Sequence, residues 1–275
     1  MFAADLPLRE IAAACCNTVH TSSVCTIHSS GKNLMDDNPF VHVPHLKERL
    51  IPIAESKVRV TPQVLAQWDV RVRAMGGTDG WCISENEREA SRCATLEPIK
   101  LNQDVWVFAY GSLMWDPAIY FAEVRHAQLK GHRRVFNYQV MSGRGTPEQP
   151  GLVLSIMPST AHVCQGLAFR VAPDQVEQET TLLWRREMLR GGYCPTLLTL
   201  HTPQGDVQGL VFAGNPAHSN YVQDFSLDET AAVVACAGGY LGSNRDYLNQ
   251  LDEQLCALGI QDDYIHGLRQ RVACL

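Results

Sequence analysis

Short segments with the composition of β-strands crowd the sequence between residues 105 and 213, and this density limits the fold more than any other feature. They occur at 105–109, 133–140, 151–157, 163–171, 195–202 and 207–213. Pro158-Ser159 predicts a turn between two of them, and the segment 203–206 predicts a hairpin. A doubly wound sheet would require a helix between most consecutive strands. The pattern therefore predicts an α+β fold built on a small mixed β-barrel with flanking helices.

A tight turn follows the first of these segments. Tyr110, Gly111, Ser112 and Leu113 come directly after the apolar run 105–109. Gly111 tolerates backbone angles that other residues resist and lets a ligand approach the chain closely. Successive N–H groups of such a turn, together with the Ser112 hydroxyl, suit an anionic or polar group. We therefore predict that this turn binds substrate.

One helix interrupts the strands and carries the candidate catalytic residue. It is predicted to begin near Asp174, a suitable N-cap, and to end at Gly191-Gly192. Within it, Glu187 falls on the same helical stripe as Thr180 and Leu183. A carboxylate on an inward face has its pKa raised by desolvation unless it is paired. A raised pKa suits a general base or acid, so Glu187 is the candidate catalyst.

The same glutamate has a structural interpretation. Arg185, Arg186 and Arg190 are close enough in sequence to form a salt bridge with Glu187. It would then be an ordinary paired residue at the end of a helix. Spacing alone favours this second interpretation.

Two loop residues are further candidates for the substrate site. Arg144 lies between Gly143 and Gly145 and either shapes the edge of a pocket or anchors its own turn. Tyr221 lies in the loop after segment 207–213, where its hydroxyl could orient a substrate. A tyrosine that merely packs within such a loop is the commoner case.

Composition and charge argue against several classes of protein. The net charge is −6, which argues against nucleic acid or an anionic membrane surface as the main partner. No run of 18 apolar residues occurs, so no transmembrane helix is expected, and no basic cluster marks a secretory signal. The ten cysteines form no paired C-x-x-C pattern and indicate reduced thiols of a cytoplasmic protein.

No motif for a metal or an organic cofactor is present. His20 and His28 lie near three cysteines, but their spacing matches no common zinc pattern. The segment 143–145 lacks the third glycine of a dinucleotide-binding loop, and no G-x-x-x-x-G-K-[ST] loop occurs. A G-x-S-x-G nucleophile elbow is also missing from the sequence. We therefore expect no cofactor.

The chain divides near residue 100. Residues 1–100 are predicted to be an N-terminal extension, irregular over 1–59 and with one helix near 61–77 that begins after Thr61. Residues 101–275 are predicted to be the catalytic domain. Two helices near its C-terminus, at 228–238 and 243–258, are expected to form a structural cover.

Several segments, taken in order, resemble the ChaC family. The first is Tyr110-Gly111-Ser112-Leu113-Met114-Trp115, and the others are 131–136, 142–151, 183–188, 192–196, 215–216, 238–244 and 258–263. The resemblance covers roughly residues 104–272 and points to the bacterial branch of the family. It does not extend to the first 100 residues.

The resemblance implies both a fold and an activity. The fold is the γ-glutamylcyclotransferase-like fold, and the activity splits the small molecule glutathione into 5-oxoproline and cysteinylglycine without a cofactor. The family's catalytic glutamate corresponds to Glu187, and its γ-glutamyl-binding loop corresponds to Tyr110, Gly111, Ser112 and Leu113.

Two alternatives to this activity remain open. The chain could be a cyclotransferase for other γ-glutamyl amines or amino acids, or a non-catalytic regulatory protein that binds γ-glutamyl groups. The intact Glu187 argues against the second alternative. The sequence leaves the oligomeric state open.

Overall fold

A computed structural model describes residues 38–74, 76–77, 80–100, 102–223 and 225–275 of the chain. The irregular N-terminal segment is thus described only from residue 38 onward. His20, His28 and the cysteines near them lie outside the described residues.

A mixed five-stranded sheet forms the centre of the fold. Its strands are β1 (Val105–Ala109), β2 (Glu123–Val140), β3 (Gly151–Val171), β4 (Tyr193–Leu200) and β5 (Val207–Gly214). Their order in the sheet is β2-β3-β1-β5-β4. Neighbouring strands are antiparallel except β1 and β5, which pair in parallel. The predicted α+β class is confirmed.

The two edge strands of this sheet touch each other at one point. Gln128 of β2 and His201, which directly follows β4, exchange both backbone hydrogen bonds at 2.9 and 3.0 Å. The edges of the sheet therefore approach each other at this bridge.

The turn predicted at Pro158-Ser159 is wrong, because β3 runs through both residues. Pro158 pairs with His132 beside a bulge in β2, and β1 is the neighbour of β3 only farther along the strand, at 167–171. At Pro158, β3 pairs with β2 only, beside an irregularity in the pairing. Proline is tolerated there because few hydrogen bonds between strands need the N–H that it lacks. β2 also begins ten residues earlier than predicted, at Glu123.

The helices surround the sheet. They are α1 (Pro62–Ala74), α2 (Glu85–Leu96), α3 (Val176–Glu187), α4 (Leu227–Cys236), α5 (Asn244–Ala257) and α6 (Asp263–Ala273). Between α4 and α5, β6 (Gly238–Gly239) and β7 (Gly242–Ser243) form a small ladder. Among the described residues, no helix is both long and apolar enough to cross a membrane.

Two predictions that rest on local chemistry are confirmed, whereas the N-cap of α3 is Gln175 and not the predicted Asp174. The hairpin predicted at 203–206 joins β4 to β5, with Gly205 at a φ of 112°. Helix α1 begins at Pro62, and the Thr61 hydroxyl accepts a hydrogen bond from the N–H of Val64. Helix α2 was not predicted, although its capping box at 84–87 is visible in the sequence.

The hydrophobic core also includes part of the predicted extension. Trp184 of α3 packs on Phe212 of β5 with ring centroids 5.1 Å apart, and both side chains are buried. Val43 and Leu46 are fully buried in the same core. The described part of residues 1–100 is therefore packed into one compact unit with the rest of the described chain. The division at residue 100 stays a prediction.

Candidate active site

A cavity of about 460 Å³ opens between the turn after β1 and the C-terminal end of α3. Its volume is in the range of small-molecule sites. Residues from both predicted elements line it, among them Ser112, Arg186 and Glu187. The structure thus brings the candidate base and the candidate binding turn to one cavity.

Glu187 is the last residue of α3, and its side chain is 15% exposed. Its Oε1 atom is buried and makes no hydrogen bond with the described residues. Arg186 Nε lies 2.9 Å from that oxygen, at ion-pair distance but without hydrogen-bond geometry. Burial raises the pKa of Glu187, and the Arg186 charge opposes that rise without cancelling it. The predicted inward position is confirmed, and the predicted salt bridge is present in part.

Three tyrosines lie near enough to Glu187 to be affected by its charge, and they add no charge to its environment. Burial raises the pKa of Tyr247 to about 12 and that of Tyr110 and Tyr193 well above the usual range, and the Glu187 carboxylate adds to each rise. The Tyr193 hydroxyl donates to the Leu154 carbonyl at 3.0 Å. All three therefore stay neutral near pH 7. Sequence analysis did not identify Tyr193 or Tyr247.

Arg186 ties the end of α3 to the predicted binding turn. Its Nη2 donates to Ser112 Oγ at 2.9 Å, and its Nη1 donates to the Asp116 carbonyl at 2.6 Å. Residues Ser112–Met114 form one turn of 3₁₀ helix. No acceptor within the described part of the chain binds the N–H groups of Ser112 and Leu113. Such free N–H groups at the start of a helical turn can bind an anion.

The four residues of the predicted binding turn have different positions. Ser112 lines the cavity, whereas Leu113 is buried in the core and Tyr110 donates its hydroxyl to the Phe212 carbonyl at 2.6 Å. Gly111 has a negative φ of −137°, so it does not use the left-handed region. A Cβ atom there would lie 3.3 Å from Tyr247 Oη, and the glycine therefore leaves room for that hydroxyl.

Arg144 lines the cavity and also anchors its surroundings. Its Nη1 donates to the Ser243 carbonyl at 3.1 Å, and its guanidinium lies 5.6 Å from the centre of the Tyr247 ring. Tyr221 is not among the lining residues of the cavity. It pairs with Tyr138 in an isolated bridge, and its neighbour Asn220 lines the cavity instead.

Asp116 is a lining residue that sequence analysis missed. It is buried, and its Oδ1 has no hydrogen-bond partner within the described ranges. Burial raises its pKa, and the nearby Arg186 charge and Ser56 side chain oppose that rise. The one signal in the sequence is its position directly after the turn, since its partner Ser56 is distant in sequence.

Known proteins resemble this chain over much of its length. The model of the ChaC-like protein family matches residues 105–275. Over 186 residues the chain is 40% identical to the glutathione-specific γ-glutamylcyclotransferase of Escherichia coli (strain K12), covering 67% of this chain and 80% of that protein. It is 30% identical to γ-glutamylcyclotransferase 2-3 of Arabidopsis thaliana over 175 residues, 61% of this chain and 88% of the relative.

A solved structure has the same fold. It is a yeast γ-glutamylcyclotransferase specific to glutathione, which superimposes with a TM-score of 0.59 at 23% identity. The match covers 63% of this chain and 97% of that structure.

Proposed function

The chain belongs to the ChaC-like family, and from that premise we propose that it is a γ-glutamylcyclotransferase that degrades glutathione. The observation that carries the proposal is Glu187 Oε1, a buried carboxylate oxygen without a hydrogen-bond partner in the described part of the chain, at the wall of the cavity. The name of the E. coli relative supports the same reaction, and that of the Arabidopsis relative supports a γ-glutamylcyclotransferase.

The reaction closes a five-membered ring within the substrate. The α-amine of the γ-glutamyl group attacks the γ-carbonyl carbon, and the bond to the cysteinyl nitrogen breaks. The amine is mostly an ammonium group at neutral pH and cannot attack in that form. Two protons must leave the attacking nitrogen, and two must reach the departing nitrogen. Glu187 transfers them, so that 5-oxoproline and cysteinylglycine form without consumption of water.

The turn after β1 supplies orientation. The free N–H groups of Ser112 and Leu113 bind the α-carboxylate of the γ-glutamyl group, and Arg186 keeps the turn beside Glu187. Tyr110 anchors this turn to the Phe212 carbonyl, and Gly111 leaves room for the Tyr247 hydroxyl beside it. Holding the substrate folded back on itself is worth about 7–11 kcal/mol in an oriented intramolecular attack. Arg144 and the loop of Tyr221 complete the edge of the site.

Four further expectations accompany this function. Seven cysteines among the described residues are free thiols, which supports a cytoplasmic location. The bridge between Gln128 and His201 supports a small barrel closed at that point. We expect a small-molecule substrate rather than nucleic acid or a membrane, and the family match supports a catalytic domain that begins near residue 101.

The test is a cofactor-free incubation of the purified protein with glutathione, with γ-glutamylalanine in parallel. We expect 5-oxoproline and cysteinylglycine from glutathione and little 5-oxoproline from γ-glutamylalanine. Turnover of γ-glutamylalanine alone would keep the mechanism and change the substrate. If neither compound gave a product, the non-catalytic protein that binds γ-glutamyl groups would become the preferred alternative.

A further inference from the structure

Part of the cavity wall comes from outside the region that matches the family. The family match begins at residue 105. Five lining residues precede it, and all lie within residues 51–68, which we call the N-terminal wall: Ile51, Glu55, Lys57, Val58 and Trp68. The described part of the extension therefore contributes directly to the space in which the substrate would bind.

The first half of the N-terminal wall is fixed to the residues that follow the binding turn. The N–H of Ile51 donates to the Trp115 carbonyl at 2.8 Å. The Ser56 side chain lies close enough to the Asp116 carboxyl group to lower its pKa. Because Trp115 and Asp116 come directly after the turn at Ser112, the wall lies beside the proposed γ-glutamyl site.

Arg59 fixes the wall to the helix that carries the proposed base. Its two Nη atoms donate to the two carboxylate oxygens of Glu179 at 2.7 and 2.9 Å. Glu179 lies on α3, the helix that ends at Glu187, and its side chain is fully buried. Arg59 also donates to the Ala118 carbonyl at 2.6 Å. Such a bidentate buried pair holds its two segments in a defined position.

Lys57 supplies a positive charge that forms no ion pair with a described residue, although the Glu55 carboxylate lines the same wall. It is exposed, it lines the cavity, and no described residue forms a salt bridge or a side-chain hydrogen bond with it. Arg144 and Arg186 also line the cavity, but they bind the Ser243 carbonyl and Ser112. Arg190 also lines the cavity, three residues after Glu187, and is therefore the competing cation that the test below includes.

We propose that the N-terminal wall selects the dipeptide part of the substrate, with the Lys57 ammonium paired to the terminal carboxylate of a γ-glutamyl-cysteinylglycine substrate; this rests on the proposed function. The γ-glutamyl end is held by the turn at Ser112 and by Glu187. The remainder of the substrate then extends along the wall, where Val58 and Trp68 offer apolar contact and Lys57 offers the charge complementary to a carboxylate. Lys57 is thus a specificity-determining residue that the family match does not include.

Steady-state kinetics of the full chain with two substrates test this assignment. The substrates are glutathione and its glycinamide analogue, in which a carboxamide replaces the terminal carboxylate. Lys57→Met should raise KM for glutathione about three- to fivefold, as expected for a solvent-accessible ion pair. It should leave kcat and the KM of the analogue unchanged, and Lys57→Glu should raise KM for glutathione further. Lys47→Met is the matched control. Lys47 is an exposed lysine ten residues before Lys57, and it does not line the cavity.

The failures of the two proposals are distinguishable. If the unaltered chain turns over glutathione and Lys57→Met leaves the preference for glutathione over the analogue unchanged, only the role of Lys57 is overturned. The same holds if Arg190→Gln removes the preference and Lys57→Met does not. If the unaltered chain forms no 5-oxoproline from glutathione, the proposed function and the role of Lys57 are both overturned.

Discussion

Two glutamates on α3 point inward, and their surroundings differ sharply. Glu179 is fully buried and accepts three hydrogen bonds, two from Arg59 and one from the N–H of Tyr120 at 3.0 Å. Glu187, about two turns later, has a buried oxygen with no hydrogen-bond partner among the described residues and a raised pKa. One helix therefore holds one carboxylate as a structural link and leaves the other able to exchange a proton.

The largest expected effect separates the two glutamates by activity. Glu187→Gln should lower kcat for glutathione by about 10²–10⁴-fold, because a positioned general base contributes about that much. Gln is nearly isosteric, so the circular dichroism spectrum should not change. Glu177→Gln on the same helix is the control, since that side chain is 81% exposed and should leave kcat unaltered. Near-normal turnover by a folded Glu187→Gln would remove Glu187 from the mechanism.

The second largest effect concerns stability, which should depend on the pairing of Glu179 with Arg59. Arg59→Met should lower the free energy of unfolding by about 3–5 kcal/mol, because it leaves the Glu179 carboxylate buried without its counter-charge. Denaturant titration measures this, with Arg133→Met as an exposed arginine control that should stay within about 0.5 kcal/mol of the unaltered chain. Equal stability of both variants would show that Glu179 does not need its partner.

Ser112→Ala addresses the link between the turn and the helix end. The variant loses the hydroxyl that accepts from Arg186, a hydrogen bond to a charged group worth about 1.5–3 kcal/mol. We expect kcat/KM for glutathione to fall roughly tenfold, because Arg186 no longer fixes the turn beside Glu187. A loss of stability with unchanged kcat/KM would make Ser112 a purely structural residue.

The smallest effect is a pH-dependent difference in stability. A carboxyl group whose pKa is higher in the folded state destabilises that state as pH rises from the ordinary glutamate pKa, about 4.3, through the raised value. Glu187→Gln removes this cost. Its free energy of unfolding relative to the unaltered chain should therefore be constant below that range and increase as pH rises through it. A difference that decreases with rising pH would mean that Glu187 is stabilised as a carboxylate.

Local features of the sequence were more predictable than long-range ones. The stripe that turns Glu187 inward, the cap at Thr61 and the hairpin at 203–206 depend on residues within a few positions of each other, and each is confirmed. The turn at Pro158-Ser159 was wrong because strand pairing, not local propensity, decides where β3 ends.

The residues that sequence analysis missed depend on distant partners. Glu179 is separated from Arg59 by 120 positions, so its paired state has no local signature. Asp116 and Lys57 reach the cavity through the packing of the N-terminal wall against the residues after the binding turn. The roles of Tyr110, Gly111, Ser112, Leu113, Arg144 and Tyr221 in substrate binding stay predictions.

The central claim is that Glu187 is a catalytic base whose pKa is raised by burial, and the pH dependence of kcat/KM for glutathione tests it most directly. Asp116→Asn should be measured beside the unaltered chain, because burial raises the pKa of that carboxyl group as well. We predict that kcat/KM in both proteins falls as pH decreases through an apparent pKa above the ordinary glutamate value. If kcat/KM of the unaltered chain did not fall as pH decreases, the assignment of the base to Glu187 would be contradicted. The assignment would also be contradicted if this fall were absent in Asp116→Asn.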